Sequence, residues 1–190
     1  MLTTTHRLDA SSIDDALVDH ERLNALLDDL LTLARLDDPA TVTATRRVDL
    51  GDLITECVAR SADHRLRAKR VDRPAFVVGR SSQLRRVITN LTDNALAACR
   101  EVAEGSVRLE GDDVTLRVDD DGPGIAPADR ERAFDRFVRL DEARTAERGT
   151  GLGLAIVREI VREHNGHVEI GDSPSGACRV TLRLPRPAAH

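Results

Sequence analysis

Two pairs of alternating stretches constrain this chain most. Residues 106–110 (SVRLE) and 113–120 (DVTLRVDD) switch between polar and apolar at every step, and 167–171 (HVEIG) and 177–185 (ACRVTLRLP) do the same. Alternation of this kind marks strands with one buried and one wet face. A turn at Gly111–Asp113 joins the first pair into a hairpin, and the second pair reads as another. The apolar face of such a sheet must be covered, and helices are the natural cover. Asp49 stands as N-cap, with Asp52 three residues on, for a helix from Leu50 to about Leu66. Ser81 or Ser82 caps a second helix with Leu84, Val87, Ile88, Leu91 and Ala95 on one face. A third begins after a run of glycines at 149–153 and stops near Asn165–Gly166. AFVVG (75–79) reads as a strand. PADRERAFDRF (127–137) reads as a short helix with Phe134 and Phe137 inward, and DEARTAERG (141–149) as a mobile connection. The order implies an α+β fold, not a repeating βαβ. With three Phe and no Trp or Tyr, the core must be built from Leu, Val, Ile and Ala.

The N-terminal part is different. Ile13, Ala16, His20, Leu23, Leu27, Leu30 and Ala34 follow in steps of three and four, a heptad seam that Leu17, Leu26, Leu31 and Leu33 widen. So broad a face needs other helices, from a second copy or another protein. The implied organisation is a helical segment at 1–38, a linker at 39–47 and a compact domain at 48–187.

The net charge of -5 argues against nucleic acid as a partner. The cluster Arg65, Arg67, Lys69, Arg70 and Arg73 reads as a solvated helix end. Cys57, Cys99 and Cys178 are widely spaced, suggest neither a disulfide framework nor a metal pattern, and fit a reducing, cytoplasmic compartment. No apolar run reaches the length of a membrane span.

Four stretches carry chemistry. In RGTGLGLAIV (148–157) glycines stand where a helix starts, although glycine disfavours helix. Either they make a tight turn, or they let an anion approach the N–H groups and positive dipole end of the helix. In NLTDNA (90–95) Asn90 and Asn94 share a helix face; they are either magnesium-suited carboxamides or buried asparagines bonded to backbone. In DDGPG (120–124) Asp120 ends a strand, as an acceptor for an adenine amine or as the start of a β-turn. Arg136, Arg139, Arg144 and Arg148 flank a long connection of the kind that forms lids.

The order NLTDNA, DDGPGI, FDRFVR, GTGLGLAIV resembles the N, G1, F and G2 boxes of sensor histidine kinases, members of the GHKL group of ATPases. The resemblance covers about Val48 to Pro185, and ERLNALLDDLLTLARLD is similar to the second helix of the kinase dimerisation hairpin. It implies a two-layer α/β sandwich, with helices on one face of a mixed, mainly antiparallel sheet, preceded by a long helix. It implies ATP and Mg²⁺ as cofactors. Asn94 would ligate the metal with Asn90 beside it, Asp120 would hold the adenine amine, and Gly122, Gly124 and Ile125 would line the base. Arg139 would be the basic lid residue; Gly149, Thr150, Gly151, Leu152, Gly153 and Thr181 would complete the nucleotide contacts. Ala97 and Ala98 depart from the family, which often has a cation and then an aromatic or His there. The family's phosphoacceptor histidine motif is not found, and His20 sits at a seam position of the second helix.

The implied activity is phosphoryl transfer from Mg-ATP to a histidine, in trans or on a missing segment. The partners implied are a histidine-bearing helical domain and a downstream response regulator, with a homodimer or hetero-complex through the 13–36 helix. The location would be cytoplasmic, at a membrane only as part of a longer sensor. A serine kinase of the anti-sigma type and a nucleotide-gated interaction module are the alternatives.

Overall fold

The structure is a computed structural model that describes residues 20, 23, 24, 26–32, 34, 45–139 and 150–188. The compact part runs β1 (Arg46–Asp49), α1 (Leu50–Arg60), β2 (Leu66–Val71), β3 (Phe76–Gly79), α2 (Ser81–Ala98), β4 (Ala103–Glu110), β5 (Asp113–Asp120), α3 (Gly153–Glu163), β6 (His167–Asp172) and β7 (Cys178–Pro185). Two 3-10 turns, Pro127–Asp129 and Arg132–Phe134, lie between β5 and α3.

Five strands form one sheet in the order β2-β4-β5-β7-β6. Only β2 and β4 run parallel; the other neighbours are antiparallel. Alternation is obeyed closely. Val107, Val114, Leu116, Val118, Val180, Leu182 and Leu184 join Leu84, Ile88, Leu91, Ile156 and Ile160 of the helices in one buried core. The other face carries cross-strand ion pairs: Lys69 with Glu104 at 2.7 Å, Arg117 with Glu110 at 2.7 Å, Arg179 with Asp119 at 2.6 Å and Arg183 with Glu169 at 2.7 Å. Each such pair adds about 0–1 kcal/mol, so the core and not this face holds the sandwich together. A separate ribbon, β1 with β3, sits beside it. Asp49 ties ribbon to helix: its Oδ1 accepts from Gly51 N at 2.8 Å as the N-cap of α1, and from Ala75 N at 3.1 Å.

The helix from Leu50 ends at Arg60, not near Leu66. Ser61 is extended, its N–H closing on the carbonyls of Cys57 and Val58, and Asp63 then turns the chain through Arg65 N at 3.0 Å. The basic cluster therefore opens an edge strand. In β2 Leu66 is buried and the next four residues are exposed, charges that blunt a sheet edge. The N-cap of α2 is Arg80 without a side-chain cap bond, in place of Ser81 or Ser82. The first hairpin starts earlier, at Ala103. Residues 127–137 make two tight turns instead of a helix, and Phe134 alone points inward. Phe137 is 63% exposed.

Of the N-terminal segment, the described residues are helical. Leu26 packs against the core, whereas the seam residues Leu23, Leu27 and Leu30, with Leu31, are exposed. His20 is exposed too, its Nε2 accepting from Asn24 Nδ2 at 2.9 Å. Seam positions 13 and 16 lie outside the described residues. Among the described residues no helix is long and apolar enough to cross a membrane.

Candidate nucleotide site

The site has three corners. The first is α2, whose apolar positions Leu84, Val87, Ile88, Leu91 and Ala95 are buried against the sheet and α3. That packing fixes the rotation of the helix and leaves Asn90 half-buried and Asn94 exposed on its flank.

The second corner is the start of α3. Asn90 Nδ2 donates to the carbonyl of Gly153 at 3.3 Å. A Cβ placed on Gly153 would lie 3.8 Å from Asn90 Cγ and 3.8 Å from Asn94 Nδ2, an ordinary contact. The two carboxamides thus face the first residue of α3, which no side chain caps and whose first turn holds no acid. Such a helix end is chemically suited to an anion. Gly153 does not have to be glycine for the fold to close. Gly151 does: its φ is +69°, and a Cβ there would press to 3.1 Å on the backbone of Phe137. Phe137 N donates to Gly151 O at 2.9 Å and itself takes φ +65°, which turns its ring outward. Leu152 is buried, and its N–H meets Thr150 Oγ1 at 3.2 Å. Gly149, Arg144 and Arg148 lie outside the described residues. Arg139 is exposed at the edge of the described segment.

The third corner is the end of β5. Asp120 is buried, and its Oδ1 accepts from Gly122 N at 2.8 Å. Burial raises its carboxyl above the ordinary aspartate range; the N–H groups of Gly122 and Cys178 pull against that, while Asp121 and Asp119 add to it. Gly122 is required here because a Cβ would sit 2.5 Å from the carbonyl oxygen of Ala98 at the end of α2. Gly124 turns the chain at φ +74° beside Ala177, and Ile125 packs half-buried on the core.

Two residues of this corner escaped the sequence reading. Asp121 accepts from Arg100 N at 2.7 Å, Glu101 N at 3.0 Å and Val102 N at 3.3 Å. Burial pushes its carboxyl up, but those N–H groups outweigh it and hold it below the ordinary range. It clamps the exit of α2 to the Asp–Gly turn. The run of three acids at 119–121 was the available signal. The other is Cys178, buried beside Asp120, its thiol pushed up to about 12 by burial and by that carboxylate. Nothing in its spacing marked it. Thr181 stands apart: it pairs with Arg117 and Glu169 between core-facing Val180 and Leu182, which puts it on the sheet face away from the helices. The structure does not bring it to the other candidate residues.

A mixed five-stranded sheet covered on one face by helices, the last with a glycine-rich start, is the architecture of an α/β nucleotide-binding sandwich. Residues 79–188, more than half of the chain, match the family described as histidine kinase-, DNA gyrase B-, and HSP90-like ATPase. The chain belongs to that family. It is 38% identical over 172 residues to the sensor protein RstB of Escherichia coli K12, covering 88% of this chain and 40% of that one. Among solved structures it is similar to the mycobacterial sensor histidine kinase MprB, 29% identical with a TM-score of 0.64 over 76% of this chain and all (100%) of that one. The histidine kinase AdeS of Acinetobacter baumannii shares the fold, with a TM-score of 0.78 over 97% of this chain and 89% of that one at 20% identity. The chain spans less than half the length of the curated relatives it matches.

Proposed function

We propose that this chain is the ATP-binding catalytic part of a sensor histidine kinase in two-component signalling. The observation that carries the reading is the meeting of Asn90 and Asn94 with Gly153 at the uncapped start of α3, where a Cβ would fit the fold but fill the space. Family membership supports ATP as the nucleotide. Asp120 accepts the exocyclic amine of adenine, and Gly122, Gly124 and Ile125 let the base lie against backbone. Thr150, Gly151, Leu152 and Gly153 bring N–H groups to the phosphates. Asn94, with Asn90 behind it, offers a carboxamide oxygen of the kind Mg²⁺ takes. The magnesium ion, when bound with the nucleotide, neutralises charge on the phosphates.

The transfer is an in-line displacement. A ring nitrogen of the acceptor histidine forms a bond to the γ-phosphorus, the bond from that phosphorus to the β,γ-bridging oxygen breaks, and ADP leaves with the electron pair. This chain orients the triphosphate; the base that orients the acceptor comes with the acceptor. That acceptor is a histidine-bearing helical element, in the full-length protein or in a separate one. The exposed leucines of the N-terminal helix, Leu23, Leu27 and Leu30, are the surface that would join it in a bundle, with a response regulator downstream.

The test mixes the chain with γ-labelled ATP, Mg²⁺ and a purified phosphoacceptor hairpin. Acid-labile, base-stable label on the hairpin is expected, lost with Asn94→Ala. Acid-stable label on serine, or transfer indifferent to Asn94→Ala, would overturn the assignment.

A further inference from the structure

Arg86 stands four residues before Asn90 and eight before Asn94, so the three share one face of α2. Its guanidinium is held by two carboxylates of the N-terminal helix: Nη1 by Asp28 Oδ2 at 2.8 Å and Nη2 by Asp29 Oδ1 at 2.6 Å. The other oxygen of Asp29 accepts from Thr150 Oγ1 at 2.7 Å. The Asp29 side chain is only 13% exposed, against 73% for Asp28. One carboxylate therefore bridges a guanidinium on the asparagine face and a hydroxyl of the glycine stretch. That donor pair would suit a phosphoryl oxygen equally well. With both aspartates docked, Arg86 and its two partners sum to one negative charge beside the phosphate site. Undocked, Arg86 alone supplies a positive one.

We propose that Asp29 is an internal competitor for the terminal phosphoryl group of the nucleotide. Docked between Arg86 and Thr150, it ties the N-terminal helix to both phosphate-side corners. When it leaves, Arg86 and Thr150 turn to the end of the triphosphate, so a triphosphate loosens the helix more than a diphosphate does. By linkage, any displacement of the helix strengthens triphosphate binding by the same factor. Arg86 is here a positioning residue for the terminal phosphate, and the inference rests on the nucleotide reading above.

The test is calorimetric titration of the full chain with β,γ-imido-ATP and with ADP, both with Mg²⁺. Asp29→Asn should tighten the imido-ATP about fivefold or more while shifting ADP less than about twofold. Adding Arg86→Gln to Asp29→Asn should erase that gain. In the unsubstituted chain, imido-ATP should speed hydrogen exchange in residues 26–32 more than ADP does, a readout that needs no variant. An unchanged ratio of the two affinities, a gain that survives Arg86→Gln, or equal exchange with both nucleotides overturns the competition and leaves nucleotide binding intact. Failure of every form to bind either nucleotide removes the nucleotide reading, and this inference with it.

Discussion

Asp120→Asn isolates the adenine corner. The carboxylate has two oxygens and must serve Gly122 N at 2.8 Å, Cys178 N and, when ATP is bound, the base amine. Asparagine keeps one acceptor. Facing that oxygen to Gly122 aims the amide NH₂ at a second donor, the adenine amine. The loss is one charge-assisted hydrogen bond, about 1.5–3 kcal/mol, or about 10- to 150-fold in Kd. The fold should not suffer equally. Because the folded-state carboxyl titrates above its unfolded value, the stabilising contribution of Asp120 is present in full at low pH and lost as pH rises through the folded value. Above that folded value the fold carries an ionised group it disfavours. Removing that charge offsets the forfeited backbone acceptor, about 1 kcal/mol. Calorimetric titration with ATP and GTP, beside thermal unfolding, separates the two effects. The expected result is weak ATP binding, a midpoint within a few degrees of the unsubstituted chain and a narrowed preference for ATP, since guanine presents an acceptor where adenine presents a donor. ATP binding within twofold of the unsubstituted chain refutes the adenine role of Asp120.

The glycines divide by cause. Gly122→Ala drives a Cβ to 2.5 Å from a backbone carbonyl and should cost about 1–3 kcal/mol in urea unfolding. Gly153→Ala meets nothing closer than 3.8 Å, so thermal stability should hold or rise slightly while affinity for Mg-ATP falls; undiminished affinity would show that no phosphate approaches there. Asp49→Ala removes the N-cap of α1 and the acceptor for Ala75 N together, and unfolding should report a loss of about 1–2 kcal/mol. Affinity for ATP should fall on acidification from a pH above the ordinary aspartate range, because protonated Asp120 replaces an acceptor with a donor; a flat affinity profile down to the range of a free carboxylate counts against it.

The hairpins were readable because one sheet face is wet, and a wet face leaves period-two alternation in the letters: Val114, Leu116 and Val118 inward, Arg117 and Asp119 outward. β2 left no such trace. Its stability comes from pairing with β4, and its exposed Arg67, Lys69 and Arg70 resemble the end of the preceding helix. Phe137 was misjudged because hydrophobicity argues for burial, whereas a left-handed backbone bonded to Gly151 decides its direction. In the site, residues spaced by a local rule were legible. Asn90 and Asn94 share a face by helix period alone, and Asp120 with Gly122 is a turn. Thr181, which the resemblance implies as a nucleotide contact, lies apart because strand parity sets its face. Asp121 was invisible as a clamp because its partners at 100–102 lie some twenty residues away, and only folding brings them together.

That clamp determines how the site can respond. Asp121 fastens the exit of α2, and Gly122 lies directly under Ala98 O, so the asparagine helix and the adenine corner form one rigid piece. The glycine stretch is attached differently. Besides the buried Leu152, its described hydrogen bonds to other segments are Asn90 to Gly153, Phe137 to Gly151 and Thr150 to Asp29. Two of these reach Phe137 and Asp29, which belong neither to α2 nor to the Asp–Gly turn. The corner proposed for adenine is therefore part of the core of the domain, while the end proposed for the phosphates takes its position partly from the N-terminal helix. A chain arranged this way can keep its nucleotide bound while a movement of that helix changes how the terminal phosphate is held. On the competition proposed for Asp29, a movement of the helix then acts on affinity for a triphosphate more than on affinity for a diphosphate.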